Sequence, residues 1–138
     1  MKPASNFSKR APKKSSNKSQ SGEIRIIGGR WRGRKLKVQN KEGLRPTTDR
    51  LKETVFNWLM MDIRDALVLD AFAGAGSLGF EAASRGAKQV VCIEKDKQAA
   101  AQLKSNCQAL DANAQIQVLQ GDFFAKCRSL TEPFDLIF

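Results

Sequence analysis

Three acidic residues stand where predicted β-strands end, and a glycine-rich turn follows the first of them. Asp70 ends the apolar run VLD, Glu94 ends the run QVVCIE, and Asp122 follows the run QIQVLQG. After the first acid, the segment GAGSLG has the spacing G-x-G-x-x-G. Ligands of parallel sheets bind beyond the carboxyl ends of the strands, where a carboxylate can accept hydrogen bonds from both ribose hydroxyls. The pattern therefore predicts a site for an adenosine-containing cofactor.

The charge of Asp70 distinguishes between two such cofactors. In a dinucleotide site the glycine turn receives a pyrophosphate, and a carboxylate four residues before Gly74 is an unfavourable neighbour for it. S-adenosylmethionine carries an ammonium and a sulfonium but no phosphate, so the same acid attracts it. Asp122 adds an acceptor for the adenine amine, and Phe123 can pack on the ring. The residues favour S-adenosylmethionine over NAD, while a role of the acids as mere helix and turn caps stays open.

The elements that must position these residues follow from hydrophobic periodicity. We predict strands at residues 67–70, 89–94, 115–119 and 134–138, with helices at 77–85 and 96–110 between the first three. Strands separated by helices indicate an α/β fold with a parallel sheet and right-handed crossovers, in the order 3-2-1-4. The second helix should bury Ala100, Leu103, Cys107 and Leu110.

The net charge of +10 is concentrated near the amino terminus. Residues 1–37 hold 12 Lys and Arg against one acid, a net of +11, while the remaining 101 residues hold 12 bases and 13 acids. Such asymmetry indicates a nucleic-acid partner. Residues 1–22 contain few apolar side chains and are predicted to be a disordered basic tail, which either attracts RNA or only aids solubility.

Composition also argues against several classes of protein. No apolar run approaches the ~18 residues of a membrane span, and no secretory signal is evident. The three cysteines are odd in number and widely spaced, and the chain has no histidine. We therefore expect reduced cysteines in a cytoplasmic protein without a disulfide framework or a metal site.

Residues 23–38, EIRIIGGRWRGRKLKV, contain two short alternating runs around glycines, which predict a β-hairpin. Ile24 and Ile26 share one face of the first strand, as do Leu36 and Val38 of the second. Guanidinium groups suit phosphate contacts and an exposed indole can stack on a base, so we predict an RNA-binding element. The alternative is a charged edge hairpin whose tryptophan packs on the body. The predicted RNA-binding residues are Arg30, Trp31, Arg32, Arg34, Lys35 and Lys37.

A helix should follow Pro46, capped by Thr48 or Asp49. The spacing of its large apolar side chains predicts that one face is buried and that the face with Arg50, Lys52 and Glu53 meets water. The predicted buried side chains are Leu51, Val55, Trp58 and Leu59. The polar entrance to this helix, from residue 45 onward, could also cover the cofactor.

Several separate segments closely resemble the RsmD family, bacterial methyltransferases that methylate N2 of a guanine in 16S ribosomal RNA, at the position conventionally called 966. These segments are IRIIGGRWRGRKL, LRPTTDRLKETVFNWL, LDAFAGAGSLGFEAASRGA and the later GD. The resemblance covers about residues 23–138. It implies the fold of a class I S-adenosylmethionine-dependent methyltransferase, with S-adenosyl-L-methionine as the methyl donor. The implied substrate is the small ribosomal subunit or an assembly intermediate of it.

The resemblance also implies roles for individual residues. Asp70, Gly74 and Gly76 would line the methionine end of the donor, Glu94 would hold the ribose, and Asp122 with Phe123 would frame the adenine. The remaining residues assigned to the cofactor pocket are Phe72 and Lys95, with Arg45, Pro46 and Thr47 closing it.

The sequence departs from the family at Phe138. Family members continue after a strand such as FDLIF with an acidic residue or Asn, then Pro-Pro and an aromatic, and those residues contact the target base. No catalytic residue is therefore assigned in this chain. The resemblance implies that the catalytic residues follow just after Phe138. It also implies that the sheet is truncated after its fourth strand and that the fragment is inactive alone.

The expected organisation is a disordered tail at 1–22, a basic hairpin extension at 23–45 and a partial methyltransferase domain at 46–138. Three other functions stay open at this point: a non-catalytic RNA-binding module, an NAD-dependent oxidoreductase and an N6-adenine DNA methyltransferase. The oligomeric state is not predicted.

Overall fold

The computed structural model describes residues 22–39 and 48–138. Predictions on the tail before Gly22, and those on Arg45, Pro46 and Thr47, lie outside the described residues. The longest helix has 13 residues, and no helix of the described part is long and apolar enough to cross a membrane. The elements in chain order are β1 (Gly22–Arg25), β2 (Lys35–Val38), α1 (Asp49–Trp58), β3 (Leu67–Asp70), α2 (Ser77–Ser84), β4 (Gln89–Glu94), α3 (Lys97–Ala109), β5 (Ile116–Gln120), α4 (Phe123–Cys127) and β6 (Leu136–Ile137).

The central sheet has four strands in the order β5-β4-β3-β6, and every pair is parallel. This confirms the α/β class and the order 3-2-1-4 expected from the sequence. The bounds of β3 and β4 are those predicted, whereas β5 begins one residue later and β6 is shorter than expected. The short helix α4 was not predicted.

The core lies on both faces of the sheet because successive strand residues point to opposite sides. Val68 and Val90 face one cluster, and Leu69 and Val91 face the other. The inward face of α3 is confirmed. Its buried side chains include Ala100, Leu103 and Cys107, and Leu110 at its C-cap is buried with them.

Two of the three cysteines are buried in the core, as their apolar contexts predict. Cys92 and Cys107 are buried and Cys127 is partly buried, and none forms a disulfide. Burial raises the pKa of Cys107 to about 11, so its thiol is neutral at physiological pH. In residues 22–39 and 48–138, no group of three or more cysteine or acidic side chains could hold a metal ion.

The predicted hairpin is present. Strands β1 and β2 pair antiparallel, with Ile24 opposite Leu36. Ile24, Ile26, Leu36 and Val38 are buried against the body of the protein, so the apolar face of the hairpin is the predicted one. The hairpin is therefore packed on the domain along its length.

The predicted orientation of α1 is wrong at Leu51, Trp58 and Lys52, whereas Val55 and Leu59 are partly buried and Arg50 and Glu53 are exposed as predicted. Thr48 caps the helix as expected, its Oγ1 accepting a hydrogen bond from Leu51 N. Leu51 and Trp58 are 52% and 78% exposed, whereas Lys52 and Phe56 are fully buried. Phe56 packs against the ring of Phe138, and the Lys52 ammonium finds partners inside. A lysine with a satisfied ammonium can bury its four-carbon stem, and the apolar spacing cannot reveal this.

Candidate functional site

The three acidic residues at strand ends lie along one edge of the sheet. Asp70 ends β3, Glu94 ends β4 and Asp122 stands two residues after β5. Because β3, β4 and β5 are parallel neighbours, their carboxyl ends meet at the same edge. The structure therefore brings together the acids that the sequence singled out.

Asp70 is buried at the base of the site, with 4% of its surface exposed. Its Oδ2 accepts a hydrogen bond from Gly79 N at 3.0 Å. Burial raises the pKa of Asp70 to about 6; the hydrogen bond from Gly79 opposes this rise, and the charge of Glu94 adds to it. A cationic group placed beside this carboxylate would favour its ionised form.

Glu94 ties the glycine turn to the next helix. Its Oε2 accepts a hydrogen bond from Gly74 N at 2.7 Å, and its Oε1 accepts one from Asp96 N at 3.0 Å. A carboxylate has about four acceptor positions, so two remain for hydroxyl donors of a ligand. These two acceptor positions fit the two ribose hydroxyls of an adenosine.

The glycines of the turn are needed for close packing. Gly76 caps α2 with φ +82°, and a Cβ there would lie 2.5 Å from Leu103 Cδ2. A Cβ at Gly79 would lie 2.8 Å from Cys92 Sγ and 3.1 Å from Asp70 Oδ2. Because Gly79 has no side chain, α2 can pack closely against the sheet. The Gly79 N–H is then near enough to donate a hydrogen bond to Asp70.

Ser77, the first residue of α2, was not singled out from the sequence. The residue is 6% exposed, and its Oγ is a buried side-chain atom without a hydrogen-bond partner. A buried hydroxyl left without a partner is costly, so such atoms call for an explanation. Its place directly after the glycine turn fits a polar ligand group at that turn.

Aromatic side chains lie beside the third acid. The ring centroids of Phe72 and Phe123 are 5.1 Å apart, and Phe123 and Phe124 are 5.3 Å apart. Asp122 caps α4, with its Oδ2 accepting from Ala125 N at 3.1 Å, so the capping role held open from the sequence is present for this acid. Phe123 is half-buried, while Phe72 and Phe124 are largely exposed. An aromatic platform is thus available to a flat ligand ring.

An open groove runs beyond Glu94 at the start of α3. Lys95 is exposed there, and its carbonyl accepts a hydrogen bond from Gln120 Nε2 at 2.8 Å. This contact joins the ends of β4 and β5 below the groove. The lining residues are Glu94, Lys95, Asp96, Lys97 and Gln98.

The basic side chains of the hairpin are exposed, whereas Trp31 is buried. Arg32, Arg34, Lys35 and Lys37 are exposed. Trp31, however, is only 8% exposed and packs in the core, so the expected exposed indole is wrong and the alternative packing is confirmed. The buried position of Trp31 is favoured over the exposed one because burying an indole removes a large apolar surface from water.

Arg30 contacts both Trp31 and the residue that precedes β5. Its guanidinium lies 4.3 Å from the centre of the Trp31 ring, and its Nη2 donates to Gln115 Oε1 at 2.7 Å. Gln115 immediately precedes β5, so the hairpin tip lies where the strands begin. At its other end, Val38 and Gln39 line a small cavity with Gly74. The hairpin therefore extends from the amino edge of the sheet to the glycine turn.

Sequence reasoning also missed Glu81 and Ser84, which α2 presents to the hairpin. Glu81 lies in the mostly apolar run GFEAAS and is fully buried beside Lys52. Burial lowers the pKa of Lys52, and the charge of Glu81 opposes this effect. The available signal was a charged residue on a helix otherwise made of small and apolar side chains.

A protein-family model described as Conserved hypothetical protein 95 matches residues 24–138. The protein named Ribosomal RNA small subunit methyltransferase D from Haemophilus influenzae is 52% identical over 129 residues, which are 91% of this chain and 67% of that protein. The protein of the same name from Escherichia coli K12 is 56% identical over 104 residues, 75% of this chain and 52% of the relative. The chain thus spans between half and two thirds of the length of these relatives.

Solved structures agree with the sequence comparison. A putative methyltransferase from Escherichia coli has a TM-score of 0.77 and 47% identity, covering 85% of this chain and 63% of its own. An O-methyltransferase from Bacillus cereus in complex with SAH shares the fold, with a TM-score of 0.59 at 18% identity over 67% of this chain and 44% of its own. The parallel sheet and its helices form the Rossmann-like fold of class I S-adenosylmethionine-dependent methyltransferases, and the chain belongs to the Conserved hypothetical protein 95, or RsmD, family.

Proposed function

We propose that this chain binds S-adenosyl-L-methionine for the methylation of ribosomal RNA. The observation that carries the proposal is the use of the glycine-turn N–H groups. Gly74 N donates to Glu94 and Gly79 N donates to Asp70, so two donors near the turn already serve carboxylates. A pyrophosphate would need such donors and would meet two acids instead. A cationic methyl donor is attracted by the same arrangement.

The donor fits the residues present at this edge. Asp70, with Gly74 and Gly76, would hold the methionine end, and its buried carboxylate would attract the ammonium and the sulfonium. Glu94 and Lys95 would bind the ribose side. When bound, the donor supplies an electrophilic methyl group, and the chain orients it and excludes water. The adenine would be held by Asp122, Phe123 and Phe72.

The substrate proposal rests on the relatives and on the hairpin. The relatives are named as methyltransferases of the small-subunit ribosomal RNA. Arg32, Arg34, Lys35 and Lys37 form an exposed basic surface that suits RNA phosphates. We propose N2 of guanine 966 in 16S ribosomal RNA as the target atom and the bacterial cytoplasm as the location. No acceptor-side catalytic residue is assigned among the described residues.

Donor binding is tested by calorimetric titration of the 138-residue chain with S-adenosylmethionine and, separately, with NADH. We expect saturable binding of the methyl donor only. Asp70→Asn should weaken it about tenfold, because a buried charge–charge contact is lost, while Asp62→Asn, at an exposed aspartate, should leave it unchanged. Saturable NADH binding without binding of the methyl donor would refute the proposal.

RNA binding is tested by filter binding to in vitro transcribed 16S ribosomal RNA. The double variant Arg32→Glu and Arg34→Glu should weaken binding and reduce its salt dependence, because phosphate contacts are lost. Arg128→Glu, beyond α4, is the control for a change of charge elsewhere. Equal affinity of the hairpin variant and the unaltered chain would refute the assigned surface.

The target atom is tested by incubating the chain with unmethylated 16S ribosomal RNA and labelled donor, beside the Escherichia coli relative. Mass spectrometry of the nucleosides should find N2-methylguanosine with the relative and none with this chain alone, because no acceptor-side catalytic residue is assigned among its described residues. N2-methylguanosine formed by this chain alone would contradict the expected inactivity. Methylation of adenine N6 would refute the guanine assignment.

A further inference from the structure

A single buried carboxylate joins the hairpin, α1 and α2. Glu81 has no exposed surface. Its Oε1 accepts a hydrogen bond from Ile27 N at 2.8 Å, and its Oε2 accepts one from Gly28 N at 3.0 Å. Lys52 Nζ lies 3.7 Å from Oε1, and Arg85 Nε donates to Oε2 at 3.0 Å. Both oxygens therefore receive a backbone N–H of the hairpin loop and a cation.

Ser84, one turn further along α2, holds the next part of the same loop. Its Oγ donates to Gly28 O at 2.6 Å and accepts from Trp31 N at 3.0 Å. Its carbonyl accepts from Arg30 N at 2.8 Å. Backbone groups at four of the five loop positions from Ile27 to Trp31 thus bind to two side chains and one carbonyl of α2.

A hydrophobic core does not need this cluster. Burying a charge is expensive, and well-packed apolar residues often replace a buried ion pair without loss of stability. What the carboxylate adds is direction, because two N–H groups of the loop must point at two fixed oxygens. The loop so directed leads into Arg32 and Arg34, and the helix that directs it begins at the glycine turn.

We propose that Glu81 and Ser84 are positioning residues for RNA binding, which hold the basic hairpin tip in one orientation relative to the donor site. This inference rests on the proposed function, in which RNA is the ligand of the hairpin. If the hairpin holds this orientation for only part of the time, its apparent affinity for RNA is reduced to that fraction of the full affinity. The donor site lies at the start of α2, ahead of both residues, and we expect its affinity for S-adenosylmethionine to stay within twofold.

Glu81→Gln gives a test in which simple electrostatics and positioning predict opposite results. Removing a negative charge makes the protein more basic, which alone strengthens RNA binding. A glutamine has one acceptor oxygen, and its amide would face one loop N–H as a second donor. We therefore expect about tenfold weaker binding to 16S ribosomal RNA, with S-adenosylmethionine affinity within twofold. The matched control is Glu53→Gln on the exposed face of α1, which should bind RNA equally or more tightly.

Ser84→Ala keeps the ion pair intact and provides a second variant if Glu81→Gln fails to fold, as judged by thermal denaturation. It should also weaken RNA binding, by a smaller factor, and leave donor affinity unchanged. Folded variants that bind RNA as tightly as the unaltered chain would overturn the inference, as would a parallel loss of donor and RNA binding. Failure of the unaltered chain to bind RNA would instead overturn the proposed function.

Discussion

Gly74 N donates a hydrogen bond to Glu94 Oε2 over 2.7 Å, which joins the glycine turn after β3 to the end of the neighbouring strand β4. A carboxylate of the same site thereby fixes the position of the turn. Such preorganisation lowers the entropic cost of binding. It also places negative charge where a phosphate-binding turn would need positive potential.

The contribution of Asp70 to the free energy of unfolding should fall as pH rises through the acidic range, because folded Asp70 holds its proton to a higher pH than unfolded Asp70. Its pKa is raised from 3.8 to about 6. Both states are largely neutral below about pH 3, and above about pH 7 the buried charge costs about 3 kcal/mol of stability. The stability of Asp70→Asn relative to the unaltered chain should therefore increase by about this amount between the lower and the upper pH. Urea denaturation without donor measures this difference.

The control for this titration is Asp62→Asn, since Asp62 is exposed. A stability difference between Asp70→Asn and the unaltered chain that does not change with pH would contradict the raised pKa. The same proton equilibrium affects the ligand. A cationic donor favours the ionised carboxylate, so its affinity should rise with pH through the folded pKa of about 6.

Ser77→Ala should stabilise the chain without donor and weaken donor binding. Removing an unpaired buried hydroxyl relieves a cost of about 1 kcal/mol, and alanine is the better helix former. If the donor satisfies this hydroxyl, its loss should lower the affinity for S-adenosylmethionine about fivefold. Thermal denaturation and calorimetry measure the two effects.

Ser105→Ala, at an exposed position of α3, reports the effect of helix propensity alone. A Ser77→Ala variant with unchanged donor affinity would show that the hydroxyl does not contact the ligand. A variant that is less stable would show that the hydroxyl has a partner in the folded chain.

Phe123→Ala should weaken donor binding about tenfold, because the half-buried ring would lose its stacking contact with adenine. Phe124→Ala is the matched control, since this neighbouring ring is 70% exposed and contacts Phe123 at its edge. Calorimetric titration with S-adenosylmethionine measures both. Equal losses in the two variants would contradict the assignment of Phe123 to the adenine.

Gly29→Ala should destabilise the chain much more than Gly33→Ala. Both glycines have a positive φ, +81° and +82°, so both substitutions carry the cost of a left-handed backbone, about 1 kcal/mol. A Cβ at Gly29 would lie 2.0 Å from the Ser84 carbonyl oxygen, whereas nothing lies within 4 Å of one at Gly33. The difference measures how tightly the hairpin loop packs on α2.

Urea denaturation of the two variants should show an additional loss of about 2 kcal/mol or more at Gly29. Similar losses at both positions would mean that the loop moves away from α2 at little cost. That result would also weaken the positioning role of Ser84.

The sequence alone was sufficient for the parallel sheet and for the edge that carries the acids. Continuous apolar runs ending in Asp70 and Glu94, with a glycine turn between them, allow few other arrangements, because parallel strands need helical crossovers. The inward face of α3 and the pairing of the hairpin strands followed from the spacing of their apolar residues. These features depend on residues that are close together in the sequence.

Only the tertiary structure decided which side of α1 and which parts of the hairpin are buried. Lys52 is buried because the fold places its ammonium beside Glu81, which is 29 residues away in the sequence. Trp31 is buried because the loop that contains it packs on α2. Burial of a polar or amphipathic side chain depends on partners that fold against it. Periodicity records the average polarity of a face and contains no information on such partners.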